Sequence, residues 1–130
     1  MIDLNLRLHQ VNEEYFQSRT LPEIKWSRGR IKKRYRKLTF GSYDFKKDEI
    51  RIHPLLKDEN IPSFVLDYIL FHEMLHYQDR EDLKNMRQGK FFRRSGYRAH
   101  SPSFRFREKI FHRRKEALKI MRAIVMGQEW

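Results

Sequence analysis

Two histidines and a glutamate near the middle of the chain have the types and spacing of a metal site. His72, Glu73 and His76 lie in the sequence H-E-M-L-H. In an α-helix, residues four positions apart share a face about one turn apart, so both imidazoles can bind one ion from the same side. The glutamate between them would stand beside the ion. This H-E-x-x-H arrangement predicts two zinc ligands and a general base.

The residues around this motif predict a central helix that would hold it. Residues 64–79 carry apolar side chains around much of the helical circumference, as is typical of a largely buried helix. Pro62 suits the first turn, and Ser63 or Asn60 is suited to cap it. Burying two histidines and a glutamate is unfavourable without a partner, which a metal would supply. The alternative is a pair of hydrogen-bonded core histidines beside an ordinary helical glutamate.

A catalytic zinc ion usually has three protein ligands and one open position, so a third ligand must be sought. The metzincin spacing is excluded, because Asp79 and Asp82 stand where that class has a glycine and a histidine. A ligand from a later element is the other option. His100 is the favoured candidate, since it lies just before a predicted helix. Three other side chains stay open as alternatives: His53, Glu81 and Glu108.

The rest of the pattern predicts an α+β fold with an N-terminal helix, a small three-stranded antiparallel sheet, the central motif helix and a C-terminal helix. Helical spacing of apolar residues after a capping Asp3 predicts a helix over 4–18. Alternating apolar residues predict three strands within 23–54. The last helix, 101–127, has a serine cap, a first-turn proline and a glycine stop. We expect a single domain over all 130 residues.

The chain is strongly basic, with a formal net charge of +12. This charge predicts attraction to polyanions, nucleic acid in particular. Between Lys25 and Lys37 there are eight lysines or arginines and no acid, with Tyr35 among them. On a predicted hairpin, they would form either a phosphate-contacting patch with an aromatic ring for stacking or a solvated sheet edge that lysines protect from aggregation.

Several protein classes are excluded by composition. The chain has no cysteine, which rules out a disulfide framework and a cysteine-based zinc finger. Charged residues interrupt the first twenty positions, and no apolar run is long enough for a membrane span. We therefore expect a soluble cytoplasmic protein, with association with a nucleoid or nucleus as a variant of that expectation.

The two-part pattern resembles a known family. H-E-M-L-H, followed after a basic segment by H-S-P-S-F at residues 100–104, looks like the SprT-like zinc metalloproteases, whose pattern is H-E-x-x-H and then H-G-x-x-F. Ser101 stands where that family usually has glycine, and these 130 residues contain no cysteine for the zinc ribbon that often follows. The related minigluzincin metalloproteases share the two-element pattern. The resemblance covers residues 5–125.

The resemblance has implications for the site and for the partners. It implies that His72, His76 and His100 bind Zn²⁺ and that Glu73 is the catalytic acid/base for cleaving peptide bonds in a protein or peptide substrate. It also implies a link to DNA, because SprT-like proteases include enzymes that degrade proteins crosslinked to DNA.

Two other functions stay open from the residues. One is a minigluzincin-type metal-dependent hydrolase with no nucleic-acid role. The other is a noncatalytic basic DNA-binding module with a structural metal. A structural zinc site needs a fourth protein ligand, and none is obvious beyond His53, which argues against the second.

Overall fold

The computed structural model of the chain describes residues 1–80 and 102–130. Their elements confirm an α+β fold with a helix at each end and a small sheet between. In chain order they are α1 (Leu4–Val11), a π-helical turn (Asn12–Phe16), β1 (Glu23–Trp26), β2 (Gly41–Asp44), β3 (Glu49–Ile52), a 3-10 turn (Pro54–Lys57), α2 (Ser63–Gln78), α3 (Pro102–Glu108) and α4 (Arg114–Met126).

The N-terminal helix begins as the sequence predicts. The side chain of Asp3 caps α1 by accepting a hydrogen bond from the backbone N–H of Leu6 at 3.1 Å. The helical run continues through the π-helical turn and ends at Gln17, whose φ of 53° is left-handed. An ion pair between Arg7 and Asp67 joins α1 to α2, so the N-terminal helix braces the central one.

The sheet is mixed, so the prediction of an all-antiparallel sheet is wrong for one pair of strands. The order is β1-β3-β2, with β3 antiparallel to β2 but parallel to β1. The connection 27–40 therefore crosses over the end of β3 and is not a hairpin. Ser27 N–H donates to Ile52 O, and His53 N–H donates to Phe40 O, both at 2.8 Å. Alternation of apolar and polar residues predicts strands, but it does not predict which strands pair.

Helix α2 is central and mostly buried, as predicted. It packs against the sheet and against helices on its other sides, and ten of its residues are buried. Pro62 occupies the N-cap position, and no side chain caps the first turn. The predicted capping by Ser63 or Asn60 is therefore wrong. Across residues 1–80 and 102–130, no helix combines the length and apolar character needed to cross a membrane.

The predicted C-terminal helix is divided in two. The chain turns between α3 and α4, because Phe111 inserts there into the aromatic core. Ile110, predicted on the apolar face, is 60% exposed. Gly127 ends α4 with a φ of 68°, as predicted. The rings packed around Phe111 are those of Tyr15, Tyr68 and Phe71.

Candidate active site

The motif helix presents its two histidines side by side. The ring centroids of His72 and His76 are 5.1 Å apart, with ring planes at 73°. Both residues are partly exposed, whereas Glu73 is 6% exposed on a neighbouring face of α2. This follows from the helical periodicity, which places the histidines on one face and rotates the glutamate away. The pair has the donor chemistry and the placement to bind one divalent ion.

The ring of Phe104 in α3 packs against both imidazoles. Its buried ring stacks on His76 at 4.5 Å between centroids and meets His72 edge-on at 5.1 Å. Arg107, one turn later, donates two hydrogen bonds to the Asp79 carboxylate at the end of α2, at 2.8 and 3.0 Å. These contacts fix α3 against the motif helix, in the segment that directly follows the H-x-x-x-F pattern.

Glu108 has a role that the sequence did not suggest. Its Oε2 lies 2.8 Å from Nδ1 of His72. Its Oε1 accepts hydrogen bonds from the Tyr68 hydroxyl at 2.8 Å and from Arg114 Nε at 3.1 Å. A carboxylate on Nδ1 fixes the orientation of an imidazole and leaves Nε2 as the nitrogen that can bind a metal. These are the contacts of a residue that positions His72.

The charge on Glu108 is strongly favoured. Burial alone would raise its pKa, but hydrogen bonds from His72 and Tyr68, together with Arg114, lower that pKa to about 2. Burial and the hydrogen bond to Glu108 raise the pKa of Tyr68. Glu108 is therefore an anion and Tyr68 a neutral donor throughout the physiological range. An anion on the far nitrogen makes an imidazole a more basic ligand.

Glu73 is a carboxyl group with an unusual environment. Burial raises its pKa to about 7, and this outweighs the opposing effect of His72. A carboxyl group with a pKa near neutrality is well matched to accepting and returning a proton. Gly41 allows β2 to pack closely against α2 beside Glu73. An added Cβ on Gly41 would lie 2.7 Å from Cγ2 of Ile69 and 3.5 Å from Cγ of Glu73.

The motif opens into a cleft of about 720 Å³. One wall is α2 with His72 and Glu73, and the opposite walls come from residues 38–41 and from Leu118 and Met121 of α4. This volume is in the range of ligand-binding clefts, and its mixture of apolar walls and a few convergent polar groups is typical of them.

The remaining predicted ligands are placed as follows. His53 is buried below the 27–40 connection, where its Nδ1 accepts from Leu55 N–H at 3.0 Å and a hydrogen bond joins it to the Arg30 backbone. It lines a different pocket from the motif residues. His100 and Glu81 lie outside the described residues. Within the described part of the chain, no group of three or more possible ligands comes together.

Comparisons with known proteins identify the family and the fold. The model of the SprT-like family matches residues 4–118. The crystal structure of the metallopeptidase zymogen abylysin from Pyrococcus abyssi superposes with a TM-score of 0.56 at 22% identity, covering 98% of this chain and 100% of that one. No curated protein matches the sequence significantly. The chain belongs to the SprT-like family, and its family and fold together support a metallopeptidase.

Proposed function

We propose that the protein is a zinc-dependent peptidase in which His72, His76 and His100 bind the ion and Glu73 transfers the proton. The observation that carries this proposal is the contact between Glu108 and Nδ1 of His72. Histidines that bind a metal almost always donate their other ring N–H to a carboxylate, a carbonyl or a water. A histidine pair that served only packing would have no need of a buried anion held by three donors.

The donor set fits a catalytic metal better than a structural one. Two imidazoles from α2 and a third from the segment before α3 would leave one position open, whereas a structural site requires a fourth protein ligand. Phe104 holds α3 against both motif imidazoles. His100 stands four positions before Phe104 in the sequence, and this closeness along the chain supports it as the third ligand.

The chain's own groups would then carry the proton transfers. When bound, zinc would supply Lewis acidity for the substrate carbonyl and acidify the attacking water. Glu73 accepts the proton of that water at a carboxylate oxygen and delivers it to the nitrogen of the leaving amine. Its position on α2, one residue after His72, places it beside the ion that the histidines would hold. Glu108 and Phe104 keep the imidazoles in place throughout.

We further propose that the substrates are proteins bound or crosslinked to DNA and that the setting is cytoplasmic, in association with a nucleoid or nucleus. The net charge of +12 supports this, because it attracts polyanions and the substrates they carry. The competing function is a metal-dependent hydrolase of the minigluzincin type without a nucleic-acid role. Casein cleavage measured with and without DNA, over a range of salt, separates the two.

The decisive experiment on the chemistry compares two glutamine variants. Glu73→Gln is expected to keep zinc, measured by elemental analysis, and to lower casein cleavage by about 10²-fold or more, since a general acid/base contributes about 10²- to 10⁴-fold. Glu13→Gln is the matched control, because Glu13 is an exposed glutamate on the N-terminal helical turn. Retained cleavage by Glu73→Gln would contradict the role of this residue.

The third ligand needs its own test. His100→Ala is expected to lose bound zinc as His72→Ala does, while His112→Ala retains it, since His112 is exposed and bonded to Tyr15. Full zinc occupancy in His100→Ala would remove this residue from the ligand set.

A further inference from the structure

A second pocket, separate from the cleft, lies under the connection between β1 and β2, residues 27–40, which we name the basic loop. Its volume is about 440 Å³. The residues that line it include four cations and three serine or threonine hydroxyl groups but no carboxylate. The cations are Arg30, Lys32 and Lys37 of the basic loop and Arg51 of β3; the hydroxyl groups belong to Ser27, Thr39 and Ser42.

The basic loop is held in place along its length although it forms no strand. Its two ends are hydrogen-bonded to the end of β3, as described above. In between, Tyr35 N–H donates to Val125 O of α4 at 3.0 Å, and Lys32 N–H donates to the Tyr35 hydroxyl at 2.9 Å. A ligand that binds here meets a preformed backbone, so binding orders side chains only.

The loop cations carry charge that no carboxylate in the described part of the chain neutralises. Among the described residues, no carboxylate lies within ion-pair distance of Arg30, Lys32 or Lys37, and all three are exposed. Arg51 differs, because its Nε lies 2.7 Å from Oε1 of Glu49. Three unpaired cations around one concavity produce a local positive potential that an anionic ligand relieves.

We propose that this pocket binds the phosphate backbone of a nucleic acid, without reading its bases. Arginine, lysine, serine and threonine side chains are the usual partners of nucleic-acid phosphates, and all four types line the pocket. Tyr35 has a structural role here, since its ring contacts that of His53 at 5.9 Å between centroids and its hydroxyl accepts a hydrogen bond from Lys32 N–H. Binding is therefore electrostatic and independent of sequence.

The pocket and the cleft are neighbours. Leu38 and Thr39 line both, so a short stretch of backbone separates the bound phosphates from the space in front of His72 and Glu73. A protein attached to the bound nucleic acid is thereby held beside the cleft at high local concentration. This last consequence rests on the proposed peptidase function, whereas the binding of phosphate does not.

The test compares two triple variants in the Glu73→Gln background, so that it depends on no catalytic activity. Arg30→Gln/Lys32→Gln/Lys37→Gln removes the loop cations, and Lys46→Gln/Lys47→Gln/Lys115→Gln removes three exposed lysines that line neither pocket. Each lowers the formal net charge of +12 by three. Binding of a fluorescent single strand of about 15 nucleotides is followed by anisotropy from about 50 to 200 mM salt.

The loop variant is expected to bind at least about tenfold more weakly, with the slope of log K against log salt reduced by about two, because each lost contact with a single strand lowers it by about 0.7. The control variant is expected to lose less than about threefold. Equal losses would overturn the proposal, as would competition by polyglutamate of matched charge as strong as that of the unlabelled strand. Far-ultraviolet circular dichroism and thermal unfolding verify that both variants are folded.

Discussion

The cleft and the basic pocket share two residues at their border but are built in opposite ways. In the cleft, Glu73 and Glu108 are buried, and Glu108 has three hydrogen-bond partners. In the basic pocket, the loop cations are exposed and unpaired within the described residues. Chemistry on one bond depends on a few atoms at fixed positions, whereas attraction of a polyanion depends on the summed field. Single substitutions should therefore act sharply in the cleft and gradually in the pocket.

The largest effect is expected from Glu108. Glu108→Ala leaves Arg114, Tyr68 and His72 without their shared acceptor and should lower the free energy of unfolding by about 2 to 4 kcal/mol. Glu108→Gln, which fits the same space, should still weaken zinc affinity by about 10- to 100-fold. Competition with a chromogenic chelator measures the affinity, and urea unfolding measures the stability.

The exposed Glu116 supplies the control for this comparison, because its ion pair with Arg113 lies on the surface. Glu116→Gln should change neither quantity appreciably. Unchanged zinc affinity in Glu108→Gln would show that the contact with His72 is structural only.

A pH-dependent effect on stability is expected from Glu73 when a chelator keeps the protein free of metal. The pKa of Glu73 is about 7 in the folded chain against an ordinary value of 4.5. The folded state therefore binds the proton more tightly, so the stability from this group is full below about pH 4.5 and falls as the pH rises through 7. The loss amounts to about 3 kcal/mol at most, at 1.36 kcal/mol per pKa unit.

Urea unfolding of the wild type and of Glu73→Gln at several pH values tests this. The variant should be the more stable protein at about pH 8, and its advantage should shrink towards about pH 5, because only the wild type loses the buried proton. A difference between the two proteins that is constant over this range would contradict the expected titration.

Two glycines offer matched substitutions, one for each region. An added Cβ at Gly41 would lie 2.7 Å from Ile69 Cγ2, and one at Gly29 would lie 2.3 Å from Nε2 of His53. Each Gly→Ala change should destabilise by about 1 to 3 kcal/mol through overpacking. Gly41→Ala should mainly reduce casein cleavage, and Gly29→Ala should mainly weaken oligonucleotide binding. The opposite pattern would contradict the assignment of peptide cleavage to the cleft and of oligonucleotide binding to the basic pocket.

The smallest effect is expected from a single loop cation. Lys32→Gln should weaken oligonucleotide binding by about two- to fivefold and reduce the salt slope by about 0.7, because one phosphate contact is lost among several. Anisotropy titrations at two salt concentrations measure both. A loss as large as that of the triple variant would mean that Lys32 makes one dominant contact, and the pocket would then resemble the cleft.

The sequence predicted what depends on local spacing. The H-E-M-L-H motif lies on one helix with its histidines adjacent, Asp3 caps α1, and Gly127 ends α4. These features are set by residues within one or two turns of each other. The position of His100 and the single-domain organisation stay predictions.

What the sequence could not predict depends on distant partners. The parallel pairing of β1 with β3 arises from a crossover that alternation does not reveal. The break between α3 and α4 follows from the insertion of Phe111 among rings contributed by two other parts of the chain, the π-helical turn and α2. Glu108 was considered as a ligand, and its contact with Nδ1 of His72 required the relative placement of α2 and α3. The only available signal was an acid one turn after Phe104.

Helix α4 borders both regions. Leu118 and Met121 form part of the cleft wall, and the carbonyl of Val125 receives the hydrogen bond from Tyr35 in the basic loop. A shift of this helix would alter both places, so the two proposed occupants would be linked through it. By reciprocity, whatever factor a bound nucleic acid adds to the affinity for a peptide, the peptide returns to the affinity for the nucleic acid.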